Sequence, residues 1–316
     1  FRTKGKYDLI LVTSPPLFVG ITGYLLSRIN RIPYVFEIRD LWPESAIDTG
    51  VLKNKLIIKF AFWFEGFIYK RAKLINVLTP AFRDKLIRIK NVPKEKVILI
   101  PNAADFSLAE KILKDSSFNA LNFKKELGLE NKFVITYVGA HGVANHLIQL
   151  IDAAEKLQNT NIVFQLIGSG MRKEFLQKEV IKRSLSNVIF REPVPKSEVF
   201  KYILASDVGA SVLKNVETFK TIYSNKTFDY MSCKKPILLV IDGVSRELVE
   251  TAKCGIFAEP ENPLSIANKS KEMSTLEKSD LNQMGLNGYN YAIENFDRVK
   301  LSKKYIQEIN TIVNDK

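Results

Sequence analysis

Two charged side chains lie three residues apart in the stretch SNKTFDYMSCKKP, residues 224–236. Ser224 or Asn225 is a suitable helix N-cap, so we expect Lys226 in the first helical turn and Asp229 in the second. A positive charge opposes the dipole at the start of a helix, which is easier to explain if Lys226 meets a bound anion. The alternative is an ordinary surface pair, which stabilises a helix by roughly a few tenths of a kcal/mol.

The elements that position such a pair form an alternating pattern. Runs of Val, Ile, Leu and Phe, most of them continuous rather than alternating, are separated by helical patterns, which indicates strands buried on both faces of parallel sheets. The fold class is therefore α/β with doubly wound sheets. The predicted strands are 8–12, 34–38, 73–78, 97–100, 133–139, 162–168, 188–191, 208–213, 237–241 and 255–257.

The strand rhythm divides the chain into domains. It stops in the polar, turn-rich stretch 101–132, and the chain length of 316 residues suits two domains. We expect a first domain at 1–107, a linker at 108–132 and a second domain at 133–297. The last helix, 298–316, has no strand after it, and is expected to pack on its own domain or to cross back to the first. Because Phe1 leads straight into a strand, the first domain is expected to be incomplete.

Composition narrows the classes of partner. The net charge of +13 favours anionic partners such as nucleic acid, acidic lipid or phosphorylated small molecules. The basic residues are spread along the chain, without zinc-finger spacing, so no nucleic-acid partner is expected. Two cysteines and no apolar run of about 18 residues predict a protein of the reducing cytoplasm. Only two histidines are present, which disfavours a His-rich metal site.

The loops after the second-domain strands are where a ligand is expected, because open α/β sheets bind ligands beyond the carboxyl ends of their strands. These loops read GAHGVAN, GSGMRKE, REPVPKSE, KNVETFKTIYSNK and DGVSRE. Small residues such as Gly139 and Gly142 allow close backbone approach, and N–H groups at helix starts favour phosphate. Glycine and proline also punctuate ordinary βα turns, so a single loop of this kind decides nothing.

Several stretches in order resemble glycosyltransferase family 4, which has the GT-B fold of two Rossmann-like domains. SNKTFDYMSCKKPILLVIDGVSRELVETAKCGIFAEPENP resembles its donor-site segment, and YVGAHGVANHLIQLIDAA resembles the first strand–loop–helix of its C-terminal domain. IPNAAD resembles its interdomain junction. IRDLWPES and FIYKRAKLINVLTPAFRDKL resemble the N-terminal domain of transferases of the bacterial N-acetyl-fucosamine, O-antigen type.

The resemblance implies roles for the donor-binding residues. The second acid of the family's Glu-x7-Glu motif matches Asp229, which would accept hydrogen bonds from the ribose hydroxyls, whereas the first acid is replaced by Thr221. Glu247 matches a later acid near the sugar or phosphates. Backbone around Val194, in the REPVPKSE loop, would recognise the uracil base. Asn225 completes this set as the neighbour of Lys226.

The resemblance also exposes missing groups. The two cations that family members often place on the diphosphate fall on Ala140 and Asn145, so Lys226 and Lys214 are expected to supply the charge, together with N–H groups of the turn 142–145.

The catalytic candidates are three residues. Arg39 stands where the family commonly has a histidine and Asp40 follows it, so these two are the first-domain candidates. His141 is the candidate in the second domain.

Together these features imply a retaining glycosyltransferase. It would move a sugar from a nucleotide diphosphate, most plausibly UDP, to a surface polysaccharide, O-antigen or undecaprenyl-diphosphate-linked acceptor. The absence of an Asp-x-Asp motif predicts that no metal or other cofactor is needed. The alternatives are a UDP-sugar 2-epimerase of the same fold and an inactive GT-B scaffold.

One helix offers a second kind of partner. In residues 53–73 we expect Leu56, Phe60, Trp63, Phe67 and Leu74 to share one face, beside a strip of lysines. A core helix with a solvated basic edge is one interpretation. A helix on an anionic membrane surface is the other, which would place the protein peripherally on the inner face of the cytoplasmic membrane.

Overall fold

The computed structural model describes residues 7–314. The chain divides into two compact units. Among the described residues, the first unit contains 7–102, 216–223 and 298–314, and the second contains 103–215 and 224–297. The final segment, which was expected to pack on its own domain or to cross back, is thus grouped with the N-terminal residues.

The strands correspond to the apolar runs of the sequence. Each predicted strand is present within two residues of its expected ends, because a parallel strand buried on both faces needs an uninterrupted apolar run. They are β1 Ile10–Ser14, β2 Tyr34–Ile38, β3 Leu74–Val77, β4 Val97–Leu99, β5 Phe133–Val138, β6 Ile162–Ile167, β7 Val188–Arg191, β8 Val208–Val212, β9 Ile237–Val240 and β10 Gly255–Phe257.

Helices follow most of these strands. They are α1 Val19–Asn30, α2 Glu44–Asp48, α3 Lys55–Arg71, α4 Pro80–Arg88, α5 Phe106–Lys114, α6 Ala120–Glu126, α7 Ile148–Glu155, α8 Lys173–Lys182, α9 Lys196–Ala205, α10 Asn225–Ser232, α11 Val244–Thr251, α12 Pro263–Thr275, α13 Lys278–Asn295 and α14 Arg298–Asn314, with short 3-10 turns at Lys94–Lys96 and Glu217–Thr221.

The first unit is a parallel sheet of order β1-β2-β3-β4. Each strand lies beside the next one in the chain, so right-handed crossovers place α1, α3 and α4 on one face. The core on that face includes Phe36, Ile68 and Phe82. The second core cluster contains Val35 of β2 together with Ile312 of α14.

Helix α3 presents a different face to the core than the sequence suggested. Its buried apolar residues include Ala61, Phe64 and Ile68. Phe60 and Trp63, which were expected in the core in one interpretation, are 50% and 61% exposed. Leu56 is exposed as well, and Leu74 lies in β3 because the helix ends at Arg71. Periodicity showed which side chains share a face, but two apolar faces competed for the sheet.

The second unit is a six-stranded parallel sheet of order β10-β9-β8-β5-β6-β7. The chain runs from β5 outward through β6 and β7, and then returns to place β8 on the other side of β5. The strand order therefore reverses between β5 and β8, which is where doubly wound sheets bind ligands.

The expected linker 108–132 contains regular structure. It holds most of α5 and all of α6, and both helices belong to the second unit. Their starts are capped by Asp105 and Asn119, whose side chains accept hydrogen bonds from backbone N–H groups one or two residues into each helix. The polar, turn-rich sequence thus encodes two short capped helices.

Within residues 7–314, none of the helices combines the length and apolar character that crossing a bilayer requires.

Candidate donor-binding site

The candidate site lies at the reversal point of the second sheet. The loop after β5 begins at Gly139 and the loop after β8 begins at Leu213. The two loops are joined where the Lys214 N–H donates to the Ala144 carbonyl at 2.8 Å. Helix α10 begins shortly after β8, so the structure brings Lys214, Gly139 and the start of α10 into one unit of the fold.

Glycines allow the β5 and β6 loops to touch through their backbones. A Cβ atom at Gly168 would lie 2.1 Å from the Gly139 carbonyl oxygen, and one at Gly170 would lie 2.7 Å from the His141 oxygen. Both glycines have positive φ angles of 141° and 153°. Space and backbone conformation therefore both require glycine at these two positions.

Lys226 occupies the first turn of α10, as predicted. Its Nζ donates to the Ser224 hydroxyl at 3.3 Å and lies 5.0 Å from the centre of the Tyr137 ring. A Cβ atom at Gly139 would be 3.4 Å from the Lys226 Cε. Burial lowers the pKa of Lys226 from 10.5 to about 8, and the nearby Asp229 carboxylate opposes this only in part. The ammonium is thus held where it is poorly hydrated.

The start of α10 differs from the expected capping. Ser224 takes the N-cap position but makes no capping hydrogen bond with its side chain. Its hydroxyl oxygen instead accepts a hydrogen bond from the Lys226 ammonium. Asn225, the other candidate cap, is the exposed first residue of the helix.

Asp229 lies in the second turn of α10, one turn after Lys226. Its Oδ1 is 3.1 Å from Nζ of Lys196, and the two side chains are 22% and 52% exposed. Lys196 begins α9, directly after the loop that contains the half-buried Val194. The sequence analysis missed Lys196, because nothing local marks a contact between residues 33 positions apart.

Two further cationic side chains, those of Lys214 and Arg172, line a cavity of about 230 Å³. Gly142 and His146 also contribute to its lining. Arg172, which follows the GSGM loop after β6, was also missed, although a basic residue near a glycine-rich turn is a recognisable signal. The Asn145 amide contacts the Tyr137 hydroxyl, and so fixes the turn beside Lys226.

His141 is fully buried. Its ring packs near Tyr137 and Phe190, at centroid distances of 6.2 and 5.9 Å. Neither ring nitrogen has a hydrogen-bond partner among residues 7–314. Burial and the neighbouring Lys173 lower its pKa to about 4, so the ring is neutral at pH 7. Its backbone links the loops that follow β5 and β6, since its N–H donates to the Ser169 carbonyl at 2.8 Å.

Glu247 is exposed in the first turn of α11, the helix that follows the β9 loop. An acidic side chain is favourable near a helix N-terminus. Glu247 thus lies where it stabilises the helix. Its contact with a sugar or phosphate stays a prediction.

The remaining candidates belong to the first unit. Arg39 and Asp40 directly follow β2. Burial raises the pKa of the Asp40 carboxyl, although hydrogen bonds from Ser45 and Leu41 oppose the rise. Thr221, predicted to replace a donor-site acid, is grouped with this unit, where its carbonyl accepts the Thr79 hydroxyl at 2.7 Å.

Metal ligands are not clustered in the described part of the chain. Among residues 7–314, no group of three or more His, Cys, Asp or Glu side chains is arranged to hold a metal ion. That the reaction needs no metal stays a prediction from the sequence.

Comparison with known families gives the family of the chain. Residues 119–291 match the family model described as glycosyl transferases group 1, and residues 1–103 match the glycosyl transferase 4-like domain. The chain belongs to the group 1 glycosyl transferases. The resemblance inferred from SNKTFDYMSCKKP and the other motifs is thereby confirmed.

Related sequences carry names from the same class. The putative colanic acid biosynthesis glycosyl transferase WcaI of Escherichia coli is 27% identical over 192 residues, which is 60% of this chain and 46% of WcaI. The probable glycosyltransferase WbjE of Pseudomonas aeruginosa is 23% identical over 87% of this chain and 68% of its own length. The chain thus spans about half to two thirds of these relatives.

Solved structures show the same fold. HepE of Anabaena, solved in complex with UDP, matches 98% of this chain and 80% of its own, with a TM-score of 0.82 at 19% identity. Sucrose-phosphate synthase of Thermosynechococcus elongatus has a TM-score of 0.76 at 16% identity, over 100% of this chain and 76% of its own. The predicted α/β fold of GT-B type is confirmed.

Proposed function

We propose that this group 1 glycosyl transferase moves a sugar from a UDP-sugar to a growing surface polysaccharide, O-antigen or undecaprenyl-diphosphate-linked acceptor, with retention of configuration and without a metal cofactor. One relative supports the acceptor class by its name, since WcaI is named for colanic acid biosynthesis. HepE structures with UDP and with UDP-glucose support the donor class.

The observation that carries the proposal is the placement of Lys226 and Asp229. They stand one helical turn apart at the reversal point of the second sheet, with Lys226 against Gly139. In the proposed complex the Lys226 ammonium contacts the diphosphate, and the Asp229 carboxylate accepts from the ribose diol. An ammonium only donates and a carboxylate only accepts, so the pair matches the two ends of this ligand.

Catalysis in this proposal rests on stabilising the leaving group. As the bond from the sugar to the diphosphate breaks, negative charge develops on UDP. Lys226, Lys214 and Arg172, with N–H groups of the turn 142–145, are the positioned donors that meet this charge. They replace the cations missing at Ala140 and Asn145.

The acceptor side is assigned to the first unit. Asp40 follows β2, and its raised pKa makes its carboxylate a better proton acceptor near neutral pH than an ordinary aspartate. We assign it the proton of the attacking acceptor hydroxyl, and assign Arg39 a contact with acceptor charge. Glu247, Val194, Asn225 and Thr221 keep their predicted roles around the donor.

The proposed activity is tested by following nucleotide release from a panel of nucleotide-sugars, with and without a lipid-linked oligosaccharide acceptor. UDP release that depends on one UDP-sugar and increases with acceptor is expected. Asp40→Asn should lower the rate and leave UDP affinity unchanged, because Asp40 acts on the acceptor side. Release of GDP or no release with any donor would contradict the proposed donor class.

A peripheral membrane position is proposed on a separate observation. The exposed face of α3 carries Leu56, Phe60 and Trp63 beside Lys59 and Lys55, a mixture that suits an anionic bilayer surface. We propose that α3 rests on the inner face of the cytoplasmic membrane. Co-sedimentation should be stronger with vesicles containing phosphatidylglycerol than with phosphatidylcholine alone. Equal sedimentation, or no effect of replacing Lys55 and Lys59 by Ser, would contradict it.

A further inference from the structure

A cavity of about 670 Å³ lies in the first unit, away from every residue of the proposed donor site. It is mainly apolar, with walls formed by α3 and by the chain between α4 and β4. The residues that shape the argument are Glu44, Phe62, Gly66, Ile89 and Val92. A volume of this size, with a mainly apolar wall surface and charged side chains beside it, is typical of small-molecule binding sites.

Gly66 is the least expected residue in its wall. It lies in the middle of α3, where glycine is among the least favourable residues. Other helical glycines are explained by close packing, since a Cβ atom at Gly20 would lie 2.9 Å from Ile68 and one at Gly285 would lie 2.0 Å from the Lys234 carbonyl oxygen. A Cβ atom at Gly66 would meet nothing within 4 Å. No neighbouring atom of the described chain requires glycine there, and the space that a side chain would take belongs to the cavity.

Three polar groups of the wall, those of Lys90, Glu65 and Tyr69, are paired with one another or with Glu44. The Lys90 ammonium has three protons, and its Nζ lies 2.6 and 2.5 Å from the two Glu65 oxygens and 2.8 Å from Oε1 of Glu44. The Tyr69 hydroxyl donates to Glu65 at 2.8 Å. The donors of Lys90 and Tyr69 are therefore already used inside the protein.

One acceptor is left. Oε2 of Glu44 is buried, and no other residue among 7–314 donates a hydrogen bond to it. Burial raises the pKa of Glu44, but Lys90 and Lys85 outweigh burial and hold it below its ordinary value, so the group is a carboxylate at pH 7. A buried carboxylate oxygen without a donor is costly, and a ligand that brings a hydroxyl or amine proton satisfies it.

We propose that this cavity binds a neutral amphiphile, with an apolar body between Phe62 and Val92 and one hydroxyl or amino group that donates to Glu44. The apolar wall selects against a sugar nucleotide, and the Glu44 oxygen that lacks a donor would repel an anion placed beside it. The site is separate from the second unit, so its occupation and UDP binding are independent properties of the chain.

The probe is N-phenyl-1-naphthylamine, a neutral fluorophore with an apolar body and one N–H group. Its binding is titrated with the parent, Gly66→Ala and Gly66→Phe. Alanine improves the helix and leaves the cavity open, so its affinity should match the parent. Phenylalanine fills the cavity, and affinity should fall by roughly tenfold or more. The exposed apolar side chains Leu56, Phe60 and Trp63 of α3 are the same in all three, so non-specific binding to them is matched. Equal binding by the Ala and Phe variants would overturn the site.

A second measurement on the parent tests the donor requirement, and does not depend on how well a variant folds. 1-Dodecanol and its methyl ether compete with the probe for the cavity. The alcohol should compete roughly tenfold better, because only it can donate to a charged acceptor. Equal competition would refute the role of Glu44. UDP affinity should stay unchanged in both Gly66 variants, so failure here is distinguishable from failure of the proposed donor site.

Discussion

Replacing Lys226 by methionine should change stability and UDP binding in opposite directions. The pKa of Lys226 falls from 10.5 to about 8 in the folded chain. At about 1.4 kcal/mol for each unit of pKa, holding the charged form there costs up to about 3.5 kcal/mol at pH 7. Methionine is also unbranched, and can keep the packing against Gly139 and Tyr137. We therefore expect the free energy of unfolding at pH 7 to rise by about 1–3 kcal/mol, measured by urea denaturation.

The pH dependence gives the sign of the effect. Below pH 8 the lysine is protonated in both the folded and the unfolded chain, so the full cost is present. Between pH 8 and 10.5 the unfolded chain binds a proton that the folded chain does not, and the stability of the parent rises with pH. The difference between Lys226→Met and the parent should therefore shrink across this window. Lys182→Met is the control, because that side chain is 75% exposed, and it should show no such trend.

UDP binding should respond in the other direction. Loss of a charged hydrogen-bond donor to the diphosphate costs about 1.5–3 kcal/mol, or roughly 10- to 100-fold in affinity. In the parent, affinity should also fall as pH rises above about 8, and the variant should lack this decline. If Lys226→Met is less stable than the parent at pH 7, or binds UDP within twofold of it, the lysine is an ordinary helix residue and the reasoning is refuted.

Three further changes test other parts of the account. Gly168→Ala should cost about 2–4 kcal/mol of stability in urea, because its Cβ would meet the Gly139 carbonyl at a positive φ angle; a change below 0.5 kcal/mol would contradict the close contact. His141→Phe should raise the free energy of unfolding by about 1 kcal/mol or more, because it removes buried nitrogens without partners. It should also weaken the loss of stability as pH falls from 6.5 to about 4, since in that range the parent histidine is protonated only on unfolding. A variant less stable than the parent would contradict this reasoning. Lys196→Ala should change stability by less than about 0.5 kcal/mol, because more than half of that side chain is exposed; a loss above about 2 kcal/mol would show that its pair with Asp229 is structural.

The strands and their class followed from the sequence because burial on both faces leaves a direct signature. Runs such as ILLV at β9 need no tertiary information to be recognised. The position of Lys226 in a first helical turn could also be predicted, because the start of a helix is signalled by neighbouring residues in the sequence. The order of the strands, and hence the reversal between β5 and β8, came only with the structure.

The errors have physical causes that act over long distances. Helix α3 has two apolar faces, and only its packing on the sheet selects Phe64 and Ile68 over Phe60 and Trp63. The pair between Lys196 and Asp229 joins the start of α9 to the second turn of α10, and neither local sequence predicts it. The burial of His141 could not be predicted, because the sequence does not show that Tyr137 and Phe190 pack near its ring, and its catalytic role stays a prediction.

Calorimetric titration of UDP into the chain, compared with its Asp229→Ala variant, tests the central claim most directly. Asp84→Ala, an exposed substitution in α4, serves as the control. The account predicts that the parent and the control bind one UDP with the same affinity, and that Asp229→Ala binds at least roughly tenfold more weakly, because the ribose diol loses its charged acceptor. Absence of UDP binding to the parent, or equal affinity of parent and Asp229→Ala, would contradict it.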